Sequence, residues 1–500
     1  MDASIPASPK PVSTGLSFIY GLGSVASGVQ LAIYALLLFF YNQVVGLSPG
    51  AVSVALAISL VLDAVWDPLV GHLSDNARTR WGRRHPFMYA SAIPIVLTVV
   101  ALWNPPAGLD SSGKFLWLLS FVVLSRLFLS LYEMPSAALA PELAPGYHDR
   151  TVLLSYRWVL GAFGGAVATS LGYFWFFRAT PQYPVGQLNP AAWGPMSLTA
   201  AGIILFSILI SAIGTHHRIA TLHIPPARKA SVGSNLRDIA ATLKNWNLGV
   251  GLAASLIAGL SYGLYGGLAL YFDTFFWGLK ASQVGILNLA NVVSTLFAAF
   301  AATALSRVLG KRNAQVILFF VCVVTIQSPF LLRLLGAFPE NGSPVLLPML
   351  MGFRFVGGVL TNAGFILMLS MIADITEEAQ LKTGRRSEGL LMSAYTFVTK
   401  ATGAISALLP AMVLALVHFP ARAKPGSVDP AIVHHMAWVY LPVTSTLSFV
   451  SIAIWMLYRI DKNAHERNLA SIAEAQGMAE AALERAEEAA PAPAPVRIAG

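Results

Sequence analysis

Apolar stretches of about twenty residues recur along nearly the whole chain, and no other feature constrains its fold as much. We count twelve of them, at about 16–41, 50–73, 86–104, 114–139, 151–177, 194–214, 248–276, 282–305, 314–334, 345–373, 388–417 and 434–458. Only 11% of the 500 residues are charged, roughly half the share in soluble domains. The sequence therefore predicts an all-α polytopic membrane protein that spans the lipid bilayer twelve times.

Basic residues concentrate in alternate loops, and this predicts the orientation of the spans. The loops after predicted spans 2, 6, 8 and 10 are rich in Lys and Arg, whereas 42–50 carries no charge and 104–114 has Lys114 as its one basic residue. By the positive-inside rule, both termini are cytoplasmic and the protein lies in the plasma (inner) membrane. The net charge of +9 is thus attributed to topology, and we expect no nucleic-acid partner.

One long polar connection divides the spans into two sets of six. The predicted units are an N-terminal half at 1–214, a cytoplasmic connection at 215–247, a C-terminal half at 248–458 and a soluble cytoplasmic tail at 459–500. Short stretches echo each other between the halves, such as WGRR at 81–84 and LGKR at 309–312. Paired six-helix halves with a central binding site are typical of secondary transporters.

Two aspartates within predicted span 2 are the strongest functional signal. Asp63 and Asp67 lie four residues apart, so their side chains share one helix face. Carboxylates inside a bilayer are costly and usually mark an ion or substrate path. Predicted span 4 adds Ser130 and Glu133, and the basic residues available to balance these carboxylates are Arg126, Arg157 and Lys400. Oxygen ligands of this kind suit a hard cation, and a carboxylate with a raised pKa suits a proton.

Two further charges lie in the predicted spans of the C-terminal half. Asp273 falls near the outer end of predicted span 7, which favours a charge at the membrane interface. Arg354 lies within predicted span 10, and the sequence leaves a structural ion pair and a functional role equally open. Cys322 is the single cysteine, so the chain forms no internal disulfide and no cysteine-based metal site.

Charged residues at the loop ends predict a gate or a set of topology signals, and the sequence does not choose between these. Arg83 or Arg84 could form a salt bridge to Asp75 or to a helix end, closing the cytoplasmic side in one state. Similar roles are open to Glu142, Arg150, Asp374 and Arg386.

Several motifs together resemble the glycoside–pentoside–hexuronide:cation symporter family of the major facilitator superfamily, to which melibiose permease belongs. They are FIYGLGSVASG at 18–28, DAVWDPLVGHLSDNARTRWGRRHPF at 63–87, YEMPSAALAPEL at 132–143, RTVLLSYR at 150–157, and IADITEE, RRSEG and TK between 372 and 400. The resemblance covers most of the chain and implies the major facilitator fold.

The resemblance also implies site residues. It places a cation at Asp63, Asp67 and Ser130, and a gating network at Asp374 and Arg386. The substrate-binding residues assigned on this basis are Glu133, Arg157, Tyr395, Thr396 and Lys400.

Four positions depart from the melibiose permease pattern. A Lys-Asp pair of predicted span 1 is Ser27–Gly28, an amide beside the second aspartate is Trp66, and a stacking tryptophan is Ala137. The cation half of the site is therefore largely kept, and the galactoside half is not.

The sequence thus predicts a cation-coupled symporter for a small sugar, glycoside or sugar acid. Its coupling ion is Na⁺ or H⁺, it needs no cofactor, and it acts as a monomer. A carrier of a lysolipid or other amphipathic substrate is the alternative, because the family resemblance extends to animal lysolipid carriers. A sensor that binds without transport is a third reading. An enzyme is not expected, because the spans show no nucleophile–base spacing and no paired metal ligands.

Overall fold

A computed structural model describes residues 13–144, 146–219, 246–383, 398–424, 426–459 and 467. This part of the chain is helical and contains twelve helices long and apolar enough to cross a membrane. Spans 1 to 12 are Thr14–Val45, Pro49–Asn76, His85–Trp103, Ser111–Leu143, Asp149–Phe176, Pro190–His216, Trp246–Phe276, Ala281–Leu309, Lys311–Leu334, Leu346–Met371, Val398–Leu416 and Pro430–Trp455. The prediction of an all-α membrane protein with twelve spans is confirmed. The start predicted for span 11, residue 388, lies outside the described residues.

The two sets of six spans pack in the same pattern, and this is the architecture of the major facilitator fold. Span 1 packs against spans 5 and 6, span 2 against span 4, and span 3 against spans 4 and 6. In the second half, span 7 packs against spans 11 and 12, span 8 against span 10, and span 9 against spans 10 and 12. The halves meet where span 2 contacts span 11 and where span 5 contacts span 8.

Polar caps and small residues explain where these spans begin and how closely they approach. Ser48 and Asp110 precede spans 2 and 4, and each side-chain oxygen accepts a hydrogen bond from a backbone N–H of the first turn. Within the first half, span 1 touches span 5 at Gly28, where an added Cβ would lie 1.8 Å from the carbonyl oxygen of Gly161. Position 28, where melibiose permease carries an acidic residue, is thus a close helix contact with no room for a carboxylate.

The loops between spans form two membrane faces, which we name by their position. The terminal face carries residues 77–84 and 310, and the far face carries residues 46–48 and 277–280. At the far face, Asn42 and Gln43 are buried, with 0% and 4% of their surfaces exposed. The Tyr271 hydroxyl donates to Asn42 Oδ1 over 2.9 Å, and the Ala423 N–H donates to Gln43 Oε1 over 2.9 Å. These bonds join the halves, so the far face is closed.

Candidate functional site

The two aspartates of span 2 lie against one hydroxyl of span 4. Ser130 Oγ lies 2.7 Å from Asp67 Oδ1 and 3.2 Å from Asp63 Oδ1. The aspartate side chains are only 14% and 15% exposed. One proton on Ser130 serves two carboxylates, so most of their lone pairs remain free for a cationic partner. The structure thus brings together the three residues predicted to bind a cation.

Lys400 of span 11 supplies that partner from the other half of the molecule. Its Nζ lies 3.0 Å from Asp63 Oδ2 and forms a second ion pair with Asp67. The sequence offered Lys400 as a charge balance for these carboxylates and, by resemblance, as a substrate contact, and the structure places its ammonium directly on the aspartates. A tethered ammonium therefore occupies the position between the carboxylates where a free cation would be attracted.

Arg126 of span 4 completes the charge balance of this group. Its NH1 lies 3.9 Å from Asp63 Oδ2, its Nε donates to Ser59 Oγ over 3.1 Å, and its guanidinium lies 5.2 Å from the centre of the Tyr34 ring. Two carboxylates thus face two cationic side chains. Such balance lowers the cost of holding four charges within a membrane span.

Glu133 and Arg157 form a second charged group one helical turn away along span 4. Arg157 NH2 lies 3.4 Å from Glu133 Oε1, and its NH1 donates to the Tyr20 hydroxyl and to Ser136 Oγ, each over 3.0 Å. Ser27, which stands where melibiose permease carries a lysine, donates a hydrogen bond to Glu133. The Glu133 side chain is 30% exposed, against 14% for Asp63 and 15% for Asp67. Its carboxylate is therefore the most accessible of the three.

Trp66 stands between the two aspartates in sequence and adds no ligand for a cation. Its indole N–H is buried and has no hydrogen-bond partner among the residues that the structure describes. An indole N–H is a donor only, so it cannot coordinate a cation as a side-chain amide oxygen would.

The charged residues at the end of span 2 form the ion-pair cluster that the sequence left open. Arg83 and Arg84 both pair with Glu142, with 2.7 Å between Arg84 NH2 and Glu142 Oε1. Arg84 NH2 also lies 3.3 Å from Asp75 Oδ1. Burial lowers the pKa of the Arg84 guanidinium from its ordinary value, and the Glu142 carboxylate opposes that shift. Spans 2, 3 and 4 are thus tied together at the terminal face.

The second half has a simpler version of this cluster. Lys311 Nζ lies 2.6 Å from Asp374 Oδ1, so the LGKR stretch supplies the partner, as WGRR does in the first half. Arg150 is exposed at the start of span 5 and shows no ion pair within the described part of the chain. Arg386, Tyr395 and Thr396 lie outside the described residues.

The expected interfacial position of Asp273 is wrong. Its side chain is buried, and its Oδ1 lies 2.7 Å from Arg354 NH2. Asp273 lies in the π-helical turn Phe272–Phe276, which is largely buried, so its carboxylate faces Arg354 of span 10. An arginine inside span 10 requires a nearby counter-ion, and that requirement was the signal in the sequence that could have identified Asp273.

Comparison with known proteins identifies the family. A profile of the family described as MFS/sugar transport protein matches residues 19–462. The chain belongs to this family. It is therefore a multi-pass membrane transporter of the major facilitator superfamily and not an enzyme, as the sequence predicted.

Individual relatives share the whole fold at low identity. An Escherichia coli K12 protein with the provisional name glycoside/cation symporter YagG is 26% identical over 92% of this chain and 95% of its own length. The Danio rerio sodium-dependent lysophosphatidylcholine symporter 1-A is 24% identical over 90% of this chain and 85% of its own length. The solved xylose transporter XylE of E. coli, in an inward open conformation, superposes with a TM-score of 0.57 at 13% identity, covering 92% of this chain and 99% of that chain.

Proposed function

We propose that this chain is a symporter that couples movement of a small sugar, glycoside or sugar acid to Na⁺ or H⁺ by alternating access. The observation that carries the proposal is Lys400, which crosses from the second half to sit on Asp63 and Asp67 of the first. An ion-binding group shared between the two halves couples ion binding to their relative position. One chain contains both sides of this contact, and we propose that the monomer is the working unit.

Exchange of Lys400 for a free cation provides the coupling step. A cation bound by Asp63, Asp67 and Ser130 would repel the Lys400 ammonium, because both seek the same carboxylate oxygens. Release of this side chain weakens the contact between the halves and frees the donors of the ammonium group. This linkage is a coupling free energy, so the substrate must strengthen cation binding by the same factor as the cation strengthens substrate binding.

Glu133 and Arg157 are the proposed substrate contacts beside the cation. Glu133 accepts from Ser27, and Arg157 donates to Tyr20 and Ser136, so both charged groups are held in fixed orientations. A partly exposed carboxylate and a guanidinium can accept from and donate to neighbouring sugar hydroxyls. Tyr395 and Thr396 remain proposed contacts on the resemblance alone.

The terminal face is the proposed cytoplasmic side, because the basic loops lie there. On that assignment, the closed far face is the outer side, and the structure represents a state with the outer side sealed. The cluster of Arg83, Arg84, Asp75 and Glu142 and the pair of Lys311 with Asp374 then act as hinges or latches at the cytoplasmic ends.

A lysolipid is the second candidate substrate, and its support is the similarity to the Danio rerio symporter. The aspartates and Ser130 would serve the same coupling role in either case. The distinction concerns the substrate cleft, which a transport assay over both substrate classes resolves.

The test is uptake by proteoliposomes under an imposed Na⁺ or H⁺ gradient, with labelled sugars, glycosides, sugar acids and lysophosphatidylcholine. We expect concentrative uptake of a sugar-class substrate that collapses when the gradient is dissipated, and its loss in Asp67→Asn. Glu340→Gln, an exposed carboxylate at the far face, is the matched control and should transport normally. Unchanged gradient-driven uptake in Asp67→Asn would refute the coupling site, and binding without accumulation would indicate a sensor.

A further inference from the structure

The second half contains a positional counterpart of the cation site. Positions 63 and 291, 67 and 295, 126 and 354, and 130 and 358 are each 228 residues apart. Span 8 packs against span 10 as span 2 packs against span 4. The aspartate site, which is Asp63, Asp67 and Ser130, thus has an equivalent place between spans 8 and 10, where the paired carboxylates are replaced by Asn291 and Thr295.

This counterpart is uncharged at the positions that matter for a cation. Asn362 of span 10 donates to Thr295 Oγ1 over 3.4 Å. Gly358 stands where Ser130 stands in the first half, and an added Cβ there would lie 2.2 Å from Ser294 Oγ. A cation would therefore meet no carboxylate at positions 291 and 295. We name Asn291, Thr295, Thr361 and Asn362 the amide site.

The arginine of the counterpart has also changed partner. Arg126 lies beside Asp63, whereas Arg354 pairs with Asp273 of span 7. One N–H of the Arg354 guanidinium is used in this pair, and its carbon lies 5.4 Å from the centre of the Tyr265 ring. Because Asp273 cancels the charge of Arg354, the group offers hydrogen-bond donors without a net positive charge.

Asn291, Arg354, Thr361 and Asn362 line one cavity of the second half. The polar side chains on its wall are Tyr262, Tyr265, Asn291, Arg354, Thr361 and Asn362. Within the described part of the chain, the Asn291 amide and both tyrosine hydroxyls show no hydrogen-bond partner. The wall therefore combines free donors, free acceptors and two aromatic faces.

We propose that the amide site and the tyrosines beside it bind the hydroxyl groups of a neutral sugar, a role that rests on the proposed symport function. A sugar hydroxyl donates and accepts, and a carboxamide can satisfy both. The aromatic rings offer an apolar surface for the C–H face of the sugar ring. The cancelled charge of Arg354 disfavours a sugar acid relative to its neutral analogue. The first half thus binds the cation and contacts the substrate through Glu133 and Arg157, and the amide site of the second half adds selectivity among the hydroxyl groups of the substrate.

The test compares Asn291→Ala with Asn288→Ala in proteoliposomes, using glucose, galactose, xylose, their methyl glycosides and glucuronate. Asn288 lies one turn earlier on span 8 and donates to the Val284 carbonyl of its own helix, so it is a matched control. For the best neutral substrate, we expect Asn291→Ala to raise KM about tenfold, the effect of one lost hydrogen bond. The half-saturating cation concentration should stay at the wild-type value.

Single-deoxy analogues of that substrate separate recognition from structure. The wild-type protein should show a KM about tenfold higher for one analogue than for the parent sugar. Asn291→Ala should show no such difference, because it lacks the amide that binds the missing hydroxyl. Asn291→Leu keeps the side-chain volume and gives the same result if the alanine variant does not assemble.

Three results overturn the inference. Wild-type KM and discrimination in both Asn291 variants would show that the amide site is structural, and the symport function would stand. A wild-type preference for glucuronate over the neutral sugars would also refute the neutral-sugar site alone. Accumulation of no sugar, glycoside or sugar acid, in this set or in the broader proteoliposome panel above, would refute the proposed function and this inference together.

Discussion

The aspartate site of the first half and the amide site of the second occupy equivalent places and differ in charge. Spans 2 and 4 hold two carboxylates against two cationic side chains, and spans 8 and 10 hold an amide and hydroxyls. The difference shows how a repeated fold can acquire two functions. One copy keeps the costly charges that attract an ion, and the other discards them and keeps hydrogen-bonding groups for an uncharged ligand.

Removing one carboxylate from the aspartate site, so that it resembles the uncharged amide site, should have the largest effect on transport. Asp63→Asn gives position 63 the side chain found at position 291. We expect concentrative uptake to fall at least about 100-fold, since one carboxylate cannot both hold Lys400 and attract a free cation. Exchange of labelled for unlabelled substrate without a gradient should persist. Gradient-driven accumulation at the wild-type level would show that the two sites do not differ in function as described.

Breaking the buried pair of the second half should chiefly affect stability. Asp273→Asn leaves the Arg354 guanidinium without its counter-ion, which costs about 3 to 5 kcal/mol for a buried pair. The apparent melting temperature in detergent should fall. Asp273→Asn combined with Arg354→Gln should recover most of the loss, because no unpaired charge remains. A double variant no more stable than Asp273→Asn would contradict this view.

Removing the arginine beside Glu133 should weaken substrate binding and leave the ion site intact. Arg157→Ala removes a guanidinium that contacts Glu133, Tyr20 and Ser136. We expect KM for the substrate to rise about 10- to 100-fold, the range for a charge-assisted hydrogen bond. Arg150→Ala, an exposed arginine at the start of the same span, is the control. A parallel rise in the half-saturating cation concentration would show that Arg157 supports both sites.

Substitutions in the terminal-face ion pairs should have the smallest effect on transport. The effect should be larger in the first half than in the second. Arg84 pairs with Glu142 and Asp75 and is mostly buried, whereas Lys311 makes one pair with Asp374 and is 29% exposed. Exposed pairs contribute little to stability. Arg84→Gln should change the initial uptake rate about threefold, and Lys311→Gln should change it less. The reverse order in initial rates would show that the second half carries the main latch.

The features that could be predicted from the sequence are those that follow from apolar periodicity, helical spacing and motifs. The twelve spans follow from apolar stretches, and the grouping of Asp63, Asp67 and Ser130 follows from helical spacing and the motif resemblance. The burial of Asp273 could not be predicted from such patterns, because it depends on a π-helical turn and on packing against span 10. Lys400 was among the basic residues that the sequence set against these carboxylates, and the structure pairs it with Asp63 and Asp67.

Contacts between distant residues set these outcomes. Lys400 reaches aspartates more than 330 positions away, and Gly28 is fixed by the backbone of span 5. The sequence around a residue does not determine which other helix its side chain will contact. The repeat of 228 residues was visible in the sequence, but spans 8 and 10 had to be seen together before Asn291 and Thr295 could be matched to the aspartates.

The central claim is that the cation and the substrate bind cooperatively through one group, the aspartates for which the cation competes with the Lys400 ammonium. Binding of each ligand to the purified protein, measured by titration calorimetry with and without a saturating amount of the other, tests it most directly. The account predicts that each ligand tightens the other by the same factor, and that Asp67→Asn abolishes this effect while substrate binding remains. Equal substrate affinity with and without the cation in the wild-type protein would contradict it.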